Sequence, residues 1–159
     1  MKRQPAQGAS ARVLQGGCSW KRHKDLSNDF AAYPAEVVLD RAWLATLKQL
    51  LRRAAQGTVR NEEWEYPCAT SRGQIGELKM TYAHECERDG ELTDLNVWHR
   101  IYYHEPSACP AELWAVSAGC KVDGDATGAA QQQDAIDRAC TRVAFTDPLG
   151  RELQEWPVS

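Results

Sequence analysis

The 159-residue sequence lacks several features that would identify a membrane protein, a secreted protein or a nucleic-acid coat protein. No apolar run approaches the roughly 20 residues that a membrane-spanning helix needs, and the N-terminus has no apolar stretch typical of a signal peptide. Basic residues are not in surplus, because the formal net charge is -3. Such a balance argues against non-specific coating of nucleic acid, which requires an excess of Lys and Arg. We therefore expect a cytoplasmic protein with no membrane partner.

Paired short-spaced cysteines are also missing, although the chain has six cysteines. In the cytoplasm, cysteines at such long intervals stay reduced, and we expect them to act as small buried hydrophobic residues. His84 and Cys86 form a single His-x-Cys pair, whereas structural zinc sites usually combine two short-spaced pairs. The sequence therefore predicts no metal site and no cofactor.

Positive charge is concentrated at the front of the chain. Residues 1–24 include six Lys or Arg residues and no acidic residue. This end either contacts a polyanion or an acidic partner, or is simply solvated. Residues 1–10 (MKRQPAQGAS) have no periodicity and predict a flexible basic tail, which leaves residues 11–159 as a single domain.

A helical pattern covers residues 25–56. Leu39, Trp43 and Leu47 recur at four-residue steps and predict a helix face in the core. Pro34 suits a first helical turn, and Gly57 supplies a stop signal. The region is therefore either one long helix or a helical hairpin.

The period then changes towards two, which predicts strands near residues 75–82, 95–103 and 113–117. The links between them are short enough for hairpins, so we expect an antiparallel meander. Residues 129–143 predict a C-terminal helix, and the last segment is expected to wrap back through Trp156. The predicted fold class is α+β: a helical hairpin or long helix packed on a small curved antiparallel sheet, with a C-terminal helix.

The amino-acid sequences of the predicted strands identify a family more specifically than the order of the elements does. Residues 76–82 (GELKMTY), 97–106 (VWHRIYYHEP) and 111–121 (AELWAVSAGCK) resemble the core of the RelE/ParE superfamily of toxin–antitoxin toxins. In that pattern a strand that carries Lys precedes an aromatic-Arg-aliphatic-x-Tyr strand. An aliphatic strand that ends in Gly and basic residues follows. The resemblance implies a RelE/ParE-like domain, and in RelE-like members a ribosome-dependent mRNA endonuclease.

The resemblance also implies the catalytic residues. Lys79 matches the strand lysine, Arg100 the arginine after the aromatic residue, and Lys121 the basic residue after the glycine. RNA cleavage of this kind needs cations around the phosphate and a group that transfers protons. Lys79 would act as base or electrostatic clamp, while Arg100 and Lys121 would hold the phosphate. The implied partners are an antitoxin protein and mRNA on the ribosome, with no DNA expected for the toxin alone.

Three further residues of the second strand are candidates for the site. Strand alternation puts His104 and Tyr102 on the same face as Arg100, and His99 on the opposite face. Histidine titrates near neutrality, so His104 is the preferred general acid or base. Tyr102 would stack on a base or donate its hydroxyl, and His99 is a substrate-binding candidate.

The chain also departs from the family pattern. Thr81 and Cys120 stand at positions that are basic in the family, and residues 122–128 (VDGDATG) lack the expected tyrosine. These departures favour an alternative without RNase chemistry, namely a ParE-type relative or a phage- or plasmid-borne inhibitor that binds a protein. Arg100 then has a simpler interpretation, as a sheet residue paired across strands with an acid such as Glu77 or Glu112.

Overall fold

The computed structural model describes residues 11–123, 127–147 and 149–158, which form mixed α+β structure. The segment 1–10, for which a basic tail is predicted, lies outside the described residues. The described helices are α1 (Leu26–Ala31), α2 (Ala35–Leu39), α3 (Trp43–Gln56) and α4 (Gly128–Ala144), with 3-10 turns at Arg12–Leu14 and Asn61–Glu63. The described strands are β1 (Ser19–His23), β2 (Trp64–Glu65), β3 (Gly76–Arg88), β4 (Glu91–His104), β5 (Glu112–Val122) and β6 (Leu153–Glu155).

These six strands form one sheet in the order β2-β3-β4-β5-β1-β6. The long strands β3, β4 and β5 form the antiparallel meander that the sequence predicts. The exception to antiparallel pairing is β1, which runs parallel to β5 and antiparallel to β6. The sheet is therefore mostly antiparallel, with the N-terminal strand inserted between the meander and the C-terminal strand.

The helical region between β1 and β2 consists of three helices rather than one long helix or a hairpin. Pro34 precedes α2 at its N-cap position, and Gly57 ends α3 in a left-handed conformation with a φ of 80°. Asp40 is extended, so the helical phase is lost between α2 and α3. As a result Leu39 is 81% exposed and lies outside the predicted core stripe, whereas Trp43 and Leu47 are buried as expected.

The sheet has two covered faces. We call the side that packs against α1, α2 and α3 face 1; its buried side chains include Leu78, Val97, Ile101 and Tyr103. We call the opposite side face 2, where α4 places Ala135, Ile136 and Ala139 against Ile75, Tyr102 and Val116. Because side chains alternate along a strand, each residue of β3 and β4 is assigned to one face by its parity.

A buried carboxylate fixes α1 and α4 to β5. Strand β1 pairs only with residues 112–115 of β5, so the next part of that edge has no strand partner. There Asp29 of α1 accepts the N–H of Ala118 at 3.0 Å. Arg142 of α4 donates to both Asp29 and the carbonyl of Val116. Side chains thus take the place of a neighbouring strand.

The end of the chain returns to the sheet as predicted. The N–H of Trp156 donates to the carbonyl of Trp20, and the two indole rings meet edge to face at 6.4 Å. Among the described residues, no helix has the length and apolar character needed to cross a membrane.

Candidate functional site

The cations that the family resemblance implies lie on three neighbouring strands. Lys79 of β3 is opposite Arg100 of β4, which is opposite Gly119 of β5. Two residues before Arg100 on β4, Trp98 is opposite Lys121 of β5. Residues that are opposite each other share a face, and their Cα atoms lie about 5 Å apart. Lys79, Arg100 and Lys121 therefore project together from face 2, and we call this group the cationic face.

A buried carboxylate orients Arg100. Its Nε donates to Oε1 of Glu77 at 2.9 Å, and the Arg100 side chain is 16% exposed. Gln132 of α4 lies 3.4 Å from the other carboxylate oxygen. Burial raises the pKa of Glu77, while Arg100 lowers it by favouring the charged form. The guanidinium carbon also lies 5.8 Å from the Trp98 ring centroid. No described residue hydrogen bonds with the two Nη groups, which leaves them to an incoming anion.

Neither lysine of the cationic face forms an ion pair with a described residue. Lys121 runs across the start of α4, where a Cβ added to Gly128 would lie 2.4 Å from the Lys121 Cδ. A cavity of about 20 Å³ remains between Arg100, Lys121 and Gln132. This space suits about one water molecule and no nucleotide. An anion would therefore reach Arg100 from the side of Lys79 and Trp98, which α4 leaves partly exposed.

Tyr102 and His104 are also on face 2, but only Tyr102 lies beside the cations, where it lines the same small cavity as Arg100 and Lys121. Tyr102 is fully buried under α4; its hydroxyl has no described partner, and burial raises its pKa. His104 lies four residues along the strand from Arg100, or about 13 Å. Its Nδ1 is 2.8 Å from the carbonyl of Gln74, and burial lowers its pKa. The structure therefore brings Tyr102 next to Arg100 without a described hydrogen bond to it, and leaves His104 farther along the strand.

His99 is on face 1, as its parity predicts, and belongs to a buried chain that sequence reasoning missed. Nδ1 of His84 lies 2.9 Å from Asp40, and Nε2 of His84 lies 2.8 Å from Nε2 of His99. The His99 ring stacks on Trp43 at 4.3 Å. Its Nδ1 has no described partner. Burial lowers the pKa of His99 to about 3, with the neighbouring His84 acting in the same direction.

The contacts of this Asp40–His84–His99 chain are satisfied when Nδ1 of His84 donates to the carboxylate and one of the two facing Nε2 atoms donates to the other. The chain joins the end of α2 to β3 and β4 on the face away from the cations. The register gives no signal of the contact, because His84 is opposite Leu95 and His99 is opposite Met80, so the two rings meet along face 1 and not as a cross-strand pair.

Metal ligands do not cluster in the part of the chain that the structure describes: no three His, Cys, Asp or Glu side chains are grouped so as to hold an ion. His84 is committed to Asp40 and His99, and the neighbouring Cys86 is 3.5 Å from the hydroxyl of Thr93. No protein-family model, curated protein or solved structure matches the chain. The function of the chain is therefore inferred from its own residues.

Proposed function

We propose that this protein is a RelE/ParE-like toxin that acts in the cytoplasm as an mRNA interferase on ribosome-bound message. The observation that carries the proposal is the convergence of Lys79, Arg100 and Lys121 on one sheet face beside Trp98. Negative charge builds on the phosphoryl oxygens as an RNA 2′-hydroxyl attacks the adjacent phosphate. Preorganised cations stabilise that charge more effectively than water does.

Each residue of the cationic face has a distinct role in this proposal. The Nη groups of Arg100 hold the phosphate, since Glu77 already fixes the guanidinium through Nε. Lys79 is partly exposed and lies across from Arg100, where it serves as base or electrostatic clamp. Lys121 adds charge from the opposite strand, and Trp98 offers a ring on which a base can stack.

The helices agree with the proposal in coarse outline only. The resemblance implies a helical hairpin or one long helix on the sheet, whereas three helices, α1 to α3, cover face 1 and α4 lies on face 2. The antitoxin would neutralise the protein by laying a helix or strand across the cationic face. Both the RNA and the antitoxin would then compete for the same charges.

A second candidate is a toxin relative that binds a protein target without cleaving RNA. The observation that favours it is the position of the proton-transfer candidates. His104 lies about 13 Å from Arg100 along the strand, and His99 is on the opposite face. The ionisable groups that lie near Arg100 then include the two lysines of the cationic face and the buried Glu77, with no histidine among them in the described residues. The same cations would then bind an acidic surface of the target.

Induced expression in bacterial cells separates the two candidates. Wild type is compared with Lys79→Ala and with Arg100→Ala combined with Glu77→Gln, which avoids leaving a buried carboxylate unpaired. Lys48→Ala is the matched control, because Lys48 is an exposed lysine on α3. Growth and translation are followed, and the 5′ ends of messages are mapped by primer extension.

The interferase proposal predicts translational arrest with cuts inside codons for wild type and Lys48→Ala, and neither effect for the cationic-face variants. Arrest without cuts, lost in the same variants, would replace the interferase with the protein-binding inhibitor. Undisturbed growth on expression of folded wild type would refute both candidates.

A further inference from the structure

The outer edge of β3 has no partner among the described strands along most of its length. Strand β2 pairs only with Glu77 and Leu78. Between Met80 and Arg88, no described strand lies beside that edge. An unpaired edge presents a row of backbone donors and acceptors that can accept another strand. The long β3–β4 hairpin therefore extends past its neighbours as an open template.

The pairing of β4 with β5 shows which backbone N–H and C=O groups of β3 point outwards at this edge. The carbonyl of Asn96 accepts the N–H of Asp123, so the backbone groups of Asn96 face β5. Ala83 is opposite Asn96, and in an antiparallel ladder the two members of such a pair face away from each other. The N–H and C=O of Ala83 therefore point outwards. By alternation the same holds for three further residues, all exposed: Thr81, Glu85 and Glu87.

Beside this edge lies a groove of about 520 Å³ between α2 and β3. Its lining combines carboxylates with one large apolar side chain, Leu39, and includes no basic residue. Leu39 is 81% exposed because α2 ends there. The exposed carboxylates of the lining are Glu36, Glu85 and Glu87. Asp40 also lines the groove but is already held by His84 and by the N–H of Ala42. The groove thus offers an apolar contact beside several negative charges.

The negative charge at this edge favours a positively charged binding partner. Residues 85–94 at the hairpin tip include five acidic side chains and a single basic one, Arg88. A second copy of this chain would bring the same negative charge to the edge, and like charges that are directly opposite destabilise a strand pair. A segment rich in Lys and Arg would instead complement both the edge and the groove.

We propose that the free edge of β3 binds an extended basic segment of a partner protein as an added strand. The segment pairs through its backbone with Thr81, Ala83, Glu85 and Glu87, and its basic side chains contact the groove carboxylates. An apolar residue of the segment contacts Leu39. This edge begins two residues beyond Lys79 of the cationic face, and the proposal does not depend on the proposed toxin activity.

The probe is a fluorescently labelled, end-blocked peptide of alternating Lys and Val, long enough to span residues 80–88. A peptide of alternating Glu and Val is the control. Fluorescence anisotropy at low salt measures binding to the full chain. We expect saturable binding of the basic peptide and none of the acidic one. No binding of the basic peptide, or equal binding of both peptides, would overturn the proposal.

Two variants separate strand addition from simple charge attraction. Ala83→Pro removes an outward N–H that no β4 bond uses, at an edge position where proline is tolerated. It is expected to weaken binding about fivefold or more, since one hydrogen bond is lost and the ring obstructs pairing. Glu85→Gln with Glu87→Gln keeps the backbone and is expected to weaken binding about tenfold at low salt. Circular dichroism checks that Ala83→Pro is folded. Unchanged affinity of the folded variant for the basic peptide would overturn the proposal.

Amide hydrogen exchange provides a readout that does not depend on the proline variant. Bound peptide should slow exchange at Ala83 and Glu85 in the wild type, because their N–H groups gain partners. The amide of Lys48, on the far side of α3, should not change and is the internal control. Unaltered exchange at Ala83 in the saturated complex would overturn the proposal. The proposal would also be overturned if sedimentation showed a dimer of this chain in place of a complex with the peptide.

Discussion

Arg100 and Glu77 form a mostly buried ion pair, with Nε 2.9 Å from Oε1, at the point where β3, β4 and α4 meet. The pair gives the guanidinium a fixed orientation and leaves its Nη groups without a described partner. It also means that a residue proposed to bind phosphate has a structural role. The two roles can be separated with a second substitution. In a variant that lacks Arg100, Glu77→Gln replaces the unpaired carboxylate with a neutral amide.

Stability measurements can detect that structural role. Arg100→Ala leaves Glu77 as an unpaired buried carboxylate, and we expect the free energy of unfolding to fall by about 3 kcal/mol. Adding Glu77→Gln removes the charge and should recover at least half of that loss. Urea unfolding at neutral pH measures both variants. Equal loss in the single and double variants would show that the pair is not coupled.

Acid should weaken the fold through His99. Its pKa is about 3 in the folded protein and near 6.5 when unfolded, so below pH 6.5 the unfolded chain binds more protons. Stability from this group is fully present above about pH 6.5 and declines by up to about 1.4 kcal/mol per unit as the pH falls. His99→Gln should flatten the urea-unfolding profile between neutral pH and about pH 5. Parallel profiles for wild type and variant would refute this.

Gly76 occupies a position where no larger residue fits. A Cβ there would lie 2.5 Å from ring atoms of both Tyr103 and Tyr66. Gly76→Ala should therefore cost about 2 kcal/mol through overpacking. Gly119→Ala is the matched control, since its Cβ would meet only the Ala135 Cβ at 3.6 Å. The melting temperatures of the two variants are compared by thermal unfolding. A melting temperature of Gly119→Ala as low as that of Gly76→Ala would contradict the packing explanation.

Asp29 is expected to hold α4 in place. It accepts the Ala118 N–H and pairs with Arg142, while buried at the edge of β5. Asp29→Ala leaves Arg142 without its carboxylate, and we expect a loss of about 3 kcal/mol in the free energy of unfolding. Exchange of α4 amides should also become faster. An α4 protected as in wild type would show that Asp29 does not anchor the helix.

The sequence was sufficient to predict the meander and the distribution of the β4 side chains between the two faces. These are local patterns, in which each strand pairs with its neighbour in the chain. Alternation along β4 correctly puts His99 on the face opposite to Arg100. That Lys79 shares a face with Arg100 depends on the β3–β4 register, which the structure supplies.

Other features were not predictable because they depend on contacts distant in sequence. Strand β1, residues 19–23 (SWKRH), has no alternation of apolar residues, and its parallel pairing with β5 joins segments about ninety residues apart. The exposure of Leu39 follows from a break at Asp40 that the four-residue spacing conceals. The buried His84–His99 contact joins two side chains that are not opposite each other in the β3–β4 ladder, so strand pairing does not indicate it either.

The most direct test of the central claim uses purified protein and ribosomes stalled on a defined message. Wild type is compared with Lys79→Ala combined with Lys121→Ala, two lysines with no described ion-pair partner, so that folding is little affected. The 5′ ends of the message are mapped after incubation. The account predicts cuts within ribosome-bound codons by wild type only. An intact message together with undiminished translation would contradict it.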